Sequence, residues 1–250
     1  MSVLAAGVAR VNITPPIGIA MTGFAGRGPA EGIHDNLTAT VLALESDDAQ
    51  AIVIAADVLY FSAAFCNEVR AEIGRRLGVA PHNVLLCGSH THYGPEMGVS
   101  ESEGQADDVV AYLRNLKFLL AGAAKAAFAA VQSVQVGFGA ATSFIGVNRR
   151  ERRADGQIIL GQDPSGPCDH EVRVVRLDTA EGKPLTALVN FACHPVSAGG
   201  AMRLLAADYV GPMRQLVEDA TGTTCLFLQG AAGNINPVEM RHSFEPARRL

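Results

Sequence analysis

The chain predicts an α/β fold, because apolar strand-like runs recur along its 250 residues and helix-patterned segments lie between several of them. Hydrophobic residues make up 48% of the sequence, enough to bury a substantial core.

The strand readings fall at 7–13, 37–44, 51–58, 84–87, 134–138, 172–177, 185–192 and 225–228. Between the third and fourth, Ser62 is placed to cap a helix in which Phe65, Val69, Ile73 and Leu77 repeat every four residues. Gly78 follows as its stop. A second, alanine-rich helix is expected over about 107–132, with Asp107 and Asp108 in the first turn, where the helix dipole favours them. A third starts at Asp208 and carries Met213, Leu216 and Val217 on one side; Asp208 is read either as its cap or as a carboxylate offered to a metal. The stretch 144–170 reads as a long polar loop, with a turn at Asp163-Pro164-Ser165-Gly166-Pro167. At the carboxyl end Ser243 and Pro246 open a helix that Leu250 cuts off after about one turn, so either the domain is expected to continue or its partner residues are expected to come from elsewhere.

The formal net charge of −5 and the short Arg149-Arg150-Glu151-Arg152-Arg153 cluster, which contains an acid, argue against a nucleic-acid partner. No basic residues precede the short apolar start, so no signal peptide is read. The apolar stretch 119–131 is interrupted by Lys125 and shorter than the ~20 residues of a bilayer span. A soluble, cytoplasmic protein is expected. Cys66, Cys87, Cys168, Cys193 and Cys225 are odd in number and form no Cys-x-x-Cys pair, which suits free thiols in a reducing compartment.

Chemistry concentrates at the ends of apolar runs. The run 84–87 leads into His90-Thr91-His92, two histidines at the spacing that puts side chains on one face of an extended strand. Neutral imidazoles there can ligate zinc or transfer protons near neutral pH. The run 185–192 ends likewise in His194-Pro195, and if the strand ends lie side by side, His90, His92 and His194 meet. A third run delivers Gln229-Gly230-Ala231-Ala232-Gly233-Asn234-Ile235-Asn236-Pro237, whose glycines permit close backbone approach to a ligand. Asp57, closing the run 51–58, is placed to orient a ligating histidine. His34 has Asp35 beside it, and His82 and His242 sit in polar surroundings and read as solvated. His170, between Asp169 and Glu171, reads as a loop or strand-start residue. Ser89 lacks the Gly-x-Ser-x-Gly turn of a nucleophile elbow.

His90-Thr91-His92-Tyr93-Gly94-Pro95 resembles the His-Thr-His-Ser-Gly-Pro element of the neutral/alkaline non-lysosomal ceramidases, and Asn190-Phe191-Ala192-Cys193-His194-Pro195 resembles their second histidine element. Gly32-Ile33-His34 and the Gly-Asn-Ile-Asn-Pro at 233–237 resemble further landmarks in the same order. The resemblance implies a mixed β-sheet core flanked by helices, one ceramidase-type catalytic domain over residues 1–250, and a zinc-dependent amidase. Metal-activated water would attack the amide carbonyl of a ceramide-like or other N-acyl substrate. It implies His90 and His194 as ligands of Zn2+, His92 as the catalytic group at the scissile carbonyl, and Arg149, Asn236 and His34 as substrate-binding residues. The family's remaining ligands, a glutamate and a tyrosine, would lie beyond Leu250. Asn236 stands where the ceramidases carry a serine, and Asn234 where they carry an acid, so amide hydrolysis is better supported than ceramide as substrate. A non-catalytic relative and a metal-dependent esterase or phosphatase are the alternatives.

Overall fold

The computed structural model describes residues 4–47, 49–98, 106–241 and 243–249. His242 and Leu250 lie outside them. In chain order the strands are β1 (Ala5–Asn12), β2 (Gly32–Ile33), β3 (Thr38–Ser46), β4 (Ala49–Ala56), β5 (Val84–Gly88), β6 (Gln132–Thr142), β7 (Gly146–Arg152), β8 (Ile158–Asp163), β9 (Glu171–Thr179), β10 (Pro184–Phe191), β11 (Leu204–Leu205), β12 (Thr224–Gln229) and β13 (Ile235–Pro237). The helices are α1 (Ala63–Leu77), α2 (Asp107–Ala129) and α3 (Val210–Thr221).

All eight strand readings enter one mixed sheet, ordered β12-β10-β9-β6-β1-β3-β4-β5. Its six central strands pair antiparallel, and each edge carries one parallel pair, β4 with β5 and β10 with β12. A parallel pair needs a crossover, which α1 supplies at one edge and α3 at the other. The sheet curls far enough that β12 lies against β4 and β5. The two parallel pairs therefore come together although they are opposite edges.

Alternation along the strands feeds three cores. Val41 and Ala43 of β3, with Ile52 and Ile54 of β4, pack under α1 and α2. Cys225 and Phe227 of β12, with Val189 and Phe191 of β10, pack under α3 and Tyr209. Leu42, Ala55 and Leu226 point the other way, into the space the curl encloses. β3, β4 and β12, covered on both faces over much of their length, read as unbroken apolar runs, whereas β6 is largely exposed.

The first helix is as expected, with Ser62 Oγ accepting from Phe65 N at 3.2 Å and Gly78 closing it at φ 75°. Three expectations are corrected. The second helix ends at Ala129, and Gln132 opens β6 instead. In α3, which begins at Val210, Leu216 is 67% exposed while Arg214 is buried. The segment 144–170 is not a loop throughout: β7 and β8 form a hairpin about Asp155 and Gly156 (φ 84°), and β7 also pairs with β13. Asp-Gly between two runs is the turn signal that marks it. The turn at 163–167 is present, with Asp163 accepting from Ser165. Pro246–Arg248 forms a single 3-10 turn. No helix among the described residues is long and apolar enough to cross a membrane.

Candidate metal centre

His90, His92 and His194 converge, each offering a ring nitrogen within 4.8 Å of the others'. Their ring centroids lie 4.9 to 5.4 Å apart. The convergence does not come from extended-strand alternation, because β5 ends at Gly88 and His90 has φ 67°, the left-handed region. The turn is held by Ser89 N on Ala56 O (2.8 Å) and His90 N on Val58 O (3.0 Å). Thr91 Oγ1 donates to Ala206 O at 2.7 Å, and His92 N to Pro195 O at 3.3 Å, which stitches the two histidine elements together.

The three imidazoles are held differently. Nδ1 of His90 donates to Leu59 O at 2.8 Å, and Nδ1 of His194 donates to Ile235 O at 2.9 Å. A proton fixed on Nδ1 leaves the Nε2 lone pair free, the arrangement that orients a metal-ligating histidine. His92 has both ring nitrogens buried and unpartnered. Packing sets it: the Phe24 ring stands edge-on with its centroid 5.0 Å from that of His92, and Gly23 backs onto its Cβ. Burial depresses all three pKa values, that of His92 to about 3 and that of His194 to about 4. All three are therefore neutral at pH 7.

Arg149, from β7, is placed by its backbone N on Asn234 O (2.7 Å) and its Nε on Gly233 O (3.1 Å). Its Nη1 lies 3.4 Å from Asn236 Oδ1 and 3.5 Å from His194 Nε2. Among the described residues the Asn236 amide nitrogen has only the Met240 sulfur as a partner, at 3.7 Å. Asn234 is turned away, donating to Pro167 O.

The other candidates are elsewhere. His34 is outside the cluster, with its Nδ1 on Asp35 Oδ1 at 2.6 Å and its ring against Phe244. Asp57 orients no histidine: Arg214 takes both its carboxylate oxygens, and a backbone carbonyl holds His90. Asp208 neither caps α3 nor joins the cluster. Buried at φ 56°, it accepts from Ser197 N and Oγ and from Tyr209 N, steadying the loop after His194. His82 is exposed, and His170 bonds Ser143 O. Cys193 and Cys225 are buried, and none of the five cysteines is in a disulfide. Phe24, Gly23 and Arg27, from the Gly- and Pro-rich segment before β2, escape sequence reading because no periodicity marks them.

Three neutral imidazoles with lone pairs turned to one centre suit a metal ion. One feature opposes it: Arg149 Nη1 stands on the His194 lone pair that a metal would take. Fold and site together define an α/β protein with a histidine cluster gathered from two opposite edges of one sheet. The chain belongs to the neutral/alkaline non-lysosomal ceramidase family, whose N-terminal domain it matches over residues 4–232. The crystal structure of neutral ceramidase from Pseudomonas aeruginosa is similar at a TM-score of 0.78 and 21% identity, over 95% of this chain and 40% of that one. A ceramidase complexed with C2 is similar at 0.76 and 21%, over 95% and 39%. The chain thus spans about 40% of the length of these structures. No curated protein matches it.

Proposed function

We propose that this chain carries the metal-holding half of a zinc-dependent hydrolase that cleaves an N-acyl amide, ceramide-like or simpler. The observation that carries the reading is the asymmetry of the imidazoles: His90 and His194 are each locked through Nδ1 on a carbonyl, whereas both nitrogens of His92 are free. Locked rings suit ligands, and the free ring suits a substrate. Zinc held by His90 and His194 would supply Lewis acidity and a bound water with pKa lowered to ~7.

The remaining groups act on the amide. Neutral His92 offers one N–H and one lone pair, so it can donate to the scissile carbonyl oxygen as charge develops. Arg149 brings a fixed cation to the same side, and Asn236 holds its Nη1. Where the family resemblance places a serine hydroxyl, Asn236 supplies an amide, which can bind substrate but cannot act as a nucleophile. The unpaired cysteines fit a reducing, cytoplasmic setting. A non-catalytic binding role is the second reading, favoured by one observation: among the described residues no carboxylate joins the three imidazoles.

The test is metal content together with turnover. Stoichiometric zinc and chelator-sensitive hydrolysis of an N-acyl amide are expected. His90→Ala and His194→Ala should each abolish zinc binding, while His92→Ala keeps the metal and slows turnover about a hundredfold or more. Full zinc occupancy in both ligand variants would refute the assignment. Bound zinc without hydrolysis favours the second reading.

A further inference from the structure

Two guanidiniums lie near the histidine cluster. Arg149 stands at His194. Arg27 lies at Phe24, its Cζ 5.1 Å from the ring centroid, and that ring is 5.0 Å from that of His92. It also lies 5.8 Å over Tyr93. Its Nη2 donates to Thr22 O at 2.5 Å and its Nη1 to Met202 O at 3.3 Å, so the group is fixed. Its Nε is buried and has no acceptor. Of the five N–H groups of a guanidinium, most remain to be satisfied.

Neither cation has a carboxylate partner among the described residues. Burial lowers the pKa of both, the sign of a charge that is incompletely solvated. Two cations with no carboxylate partner among the described residues, one at His194 and one across Phe24 from His92, repel one another and a metal ion at the cluster. An arriving anion relieves both costs, and a guanidinium matches carboxylate and phosphate geometry. A neutral amide would leave Arg27 uncompensated.

We propose that the substrate is an N-acyl amide bearing an anionic group, carboxylate or phosphate, which Arg27 receives across Phe24 from His92. This rests on reading the cluster as an amide-hydrolysing centre, so its test is binding to the metal-free chain. The probes are N-octanoylglycine, N-octanoyl-O-phosphoethanolamine and neutral N-octanoylethanolamine, titrated calorimetrically. At least one anionic probe should bind about tenfold more tightly than the neutral one, as a charge-assisted contact supplies. The tighter of the two identifies the anion.

Arg27→Gln should erase the preference and leave the neutral amide's Kd unchanged; Arg27→Lys should keep most of it. If the Gln variant also weakens the neutral amide, the Lys variant decides, and loss of the preference there overturns the proposal. So do equal affinity for all three probes, no binding of any, or a preference that survives Arg27→Gln. Should the zinc-loaded chain hydrolyse none of the amides while the preference still depends on Arg27, the anion site stands and the hydrolytic reading falls.

Discussion

Gly23 has a φ of 105°, and a Cβ added there would lie 2.8 Å from Cβ, Cγ and Nδ1 of His92. Nothing else holds that ring through its nitrogens, so the backbone approach at Gly23 and the edge of Phe24 determine where His92 points. Gly26, three residues on, is a control: its φ is 72°, and an added Cβ would meet nothing. Gly26→Ala should cost about 1–2 kcal/mol, the conformational penalty alone. Gly23→Ala carries that penalty plus overpacking of about 1–3 kcal/mol, and it should also slow turnover by moving His92 without displacing metal. Denaturant unfolding of the two variants checks the difference. Equal losses would mean that the approach to His92 is not tight.

At the scale of elements, the curl that joins the two sheet edges is tied by a buried ion pair. Asp57, at the end of β4, receives Arg214 of α3 at 2.9 and 2.7 Å, and Thr38 N donates to it at 2.9 Å. Asp57→Asn leaves the guanidinium buried and poorly paired, so a loss of about 3–5 kcal/mol is expected. Asp57→Leu with Arg214→Met should recover most of it, and chemical denaturation of both variants is the measurement. A single variant no less stable than the parent would show that packing alone closes the curl. This pair also marks what the sequence could show. The eight sheet strands and the cap and stop of α1 were legible, because apolar runs in the buried strands β3, β4 and β12, apolar alternation in the more exposed β6 and β9, and local capping all leave local patterns. The Arg214 face of α3 was not: apolar spacing pointed to Leu216, and the partner that draws Arg214 inward is 157 residues away. The three histidines were legible as chemistry, and their meeting as a condition on the strand ends lying together; what supplies that condition was not, since β5 and β10 lie far apart in strand order and only the curl unites them.

For the whole molecule, we propose that residues 1–250 fold as one unit, since a single sheet contributes to all three cores. Global stability then sums the proton linkage of every buried group. The cluster imidazoles have folded pKa values below the ~6.5 of an unfolded histidine, at about 3 for His92 and about 4 for His194. As pH falls below ~6.5 the unfolded chain takes up protons that the folded one refuses, so stability is lost down to about pH 4 for His194 and about pH 3 for His92. Asp208 works in the opposite sense. Burial raises its carboxyl to about 6, so its contribution is greatest below the unfolded ~3.9 and is lost as pH rises through 6. One carboxyl against three imidazoles leaves the imidazole sign in control. In chelator, the denaturant midpoint should therefore be flat between pH 7 and about 8, fall between pH 6.5 and 4.5, and fall again above about pH 8.5, where the unfolded thiols ionise and the buried Cys193 and Cys225 do not. His92→Leu should make that fall shallower by removing one refused proton. On the proposed assignment zinc would be held by the neutral rings more tightly than by the unfolded chain, so it should raise the midpoint at pH 7 and lose this effect as the pH drops. A metal-free midpoint that rises on acidification from pH 6.5 would mean that the three rings are not buried neutral, and the centre would have to be redrawn as open to solvent.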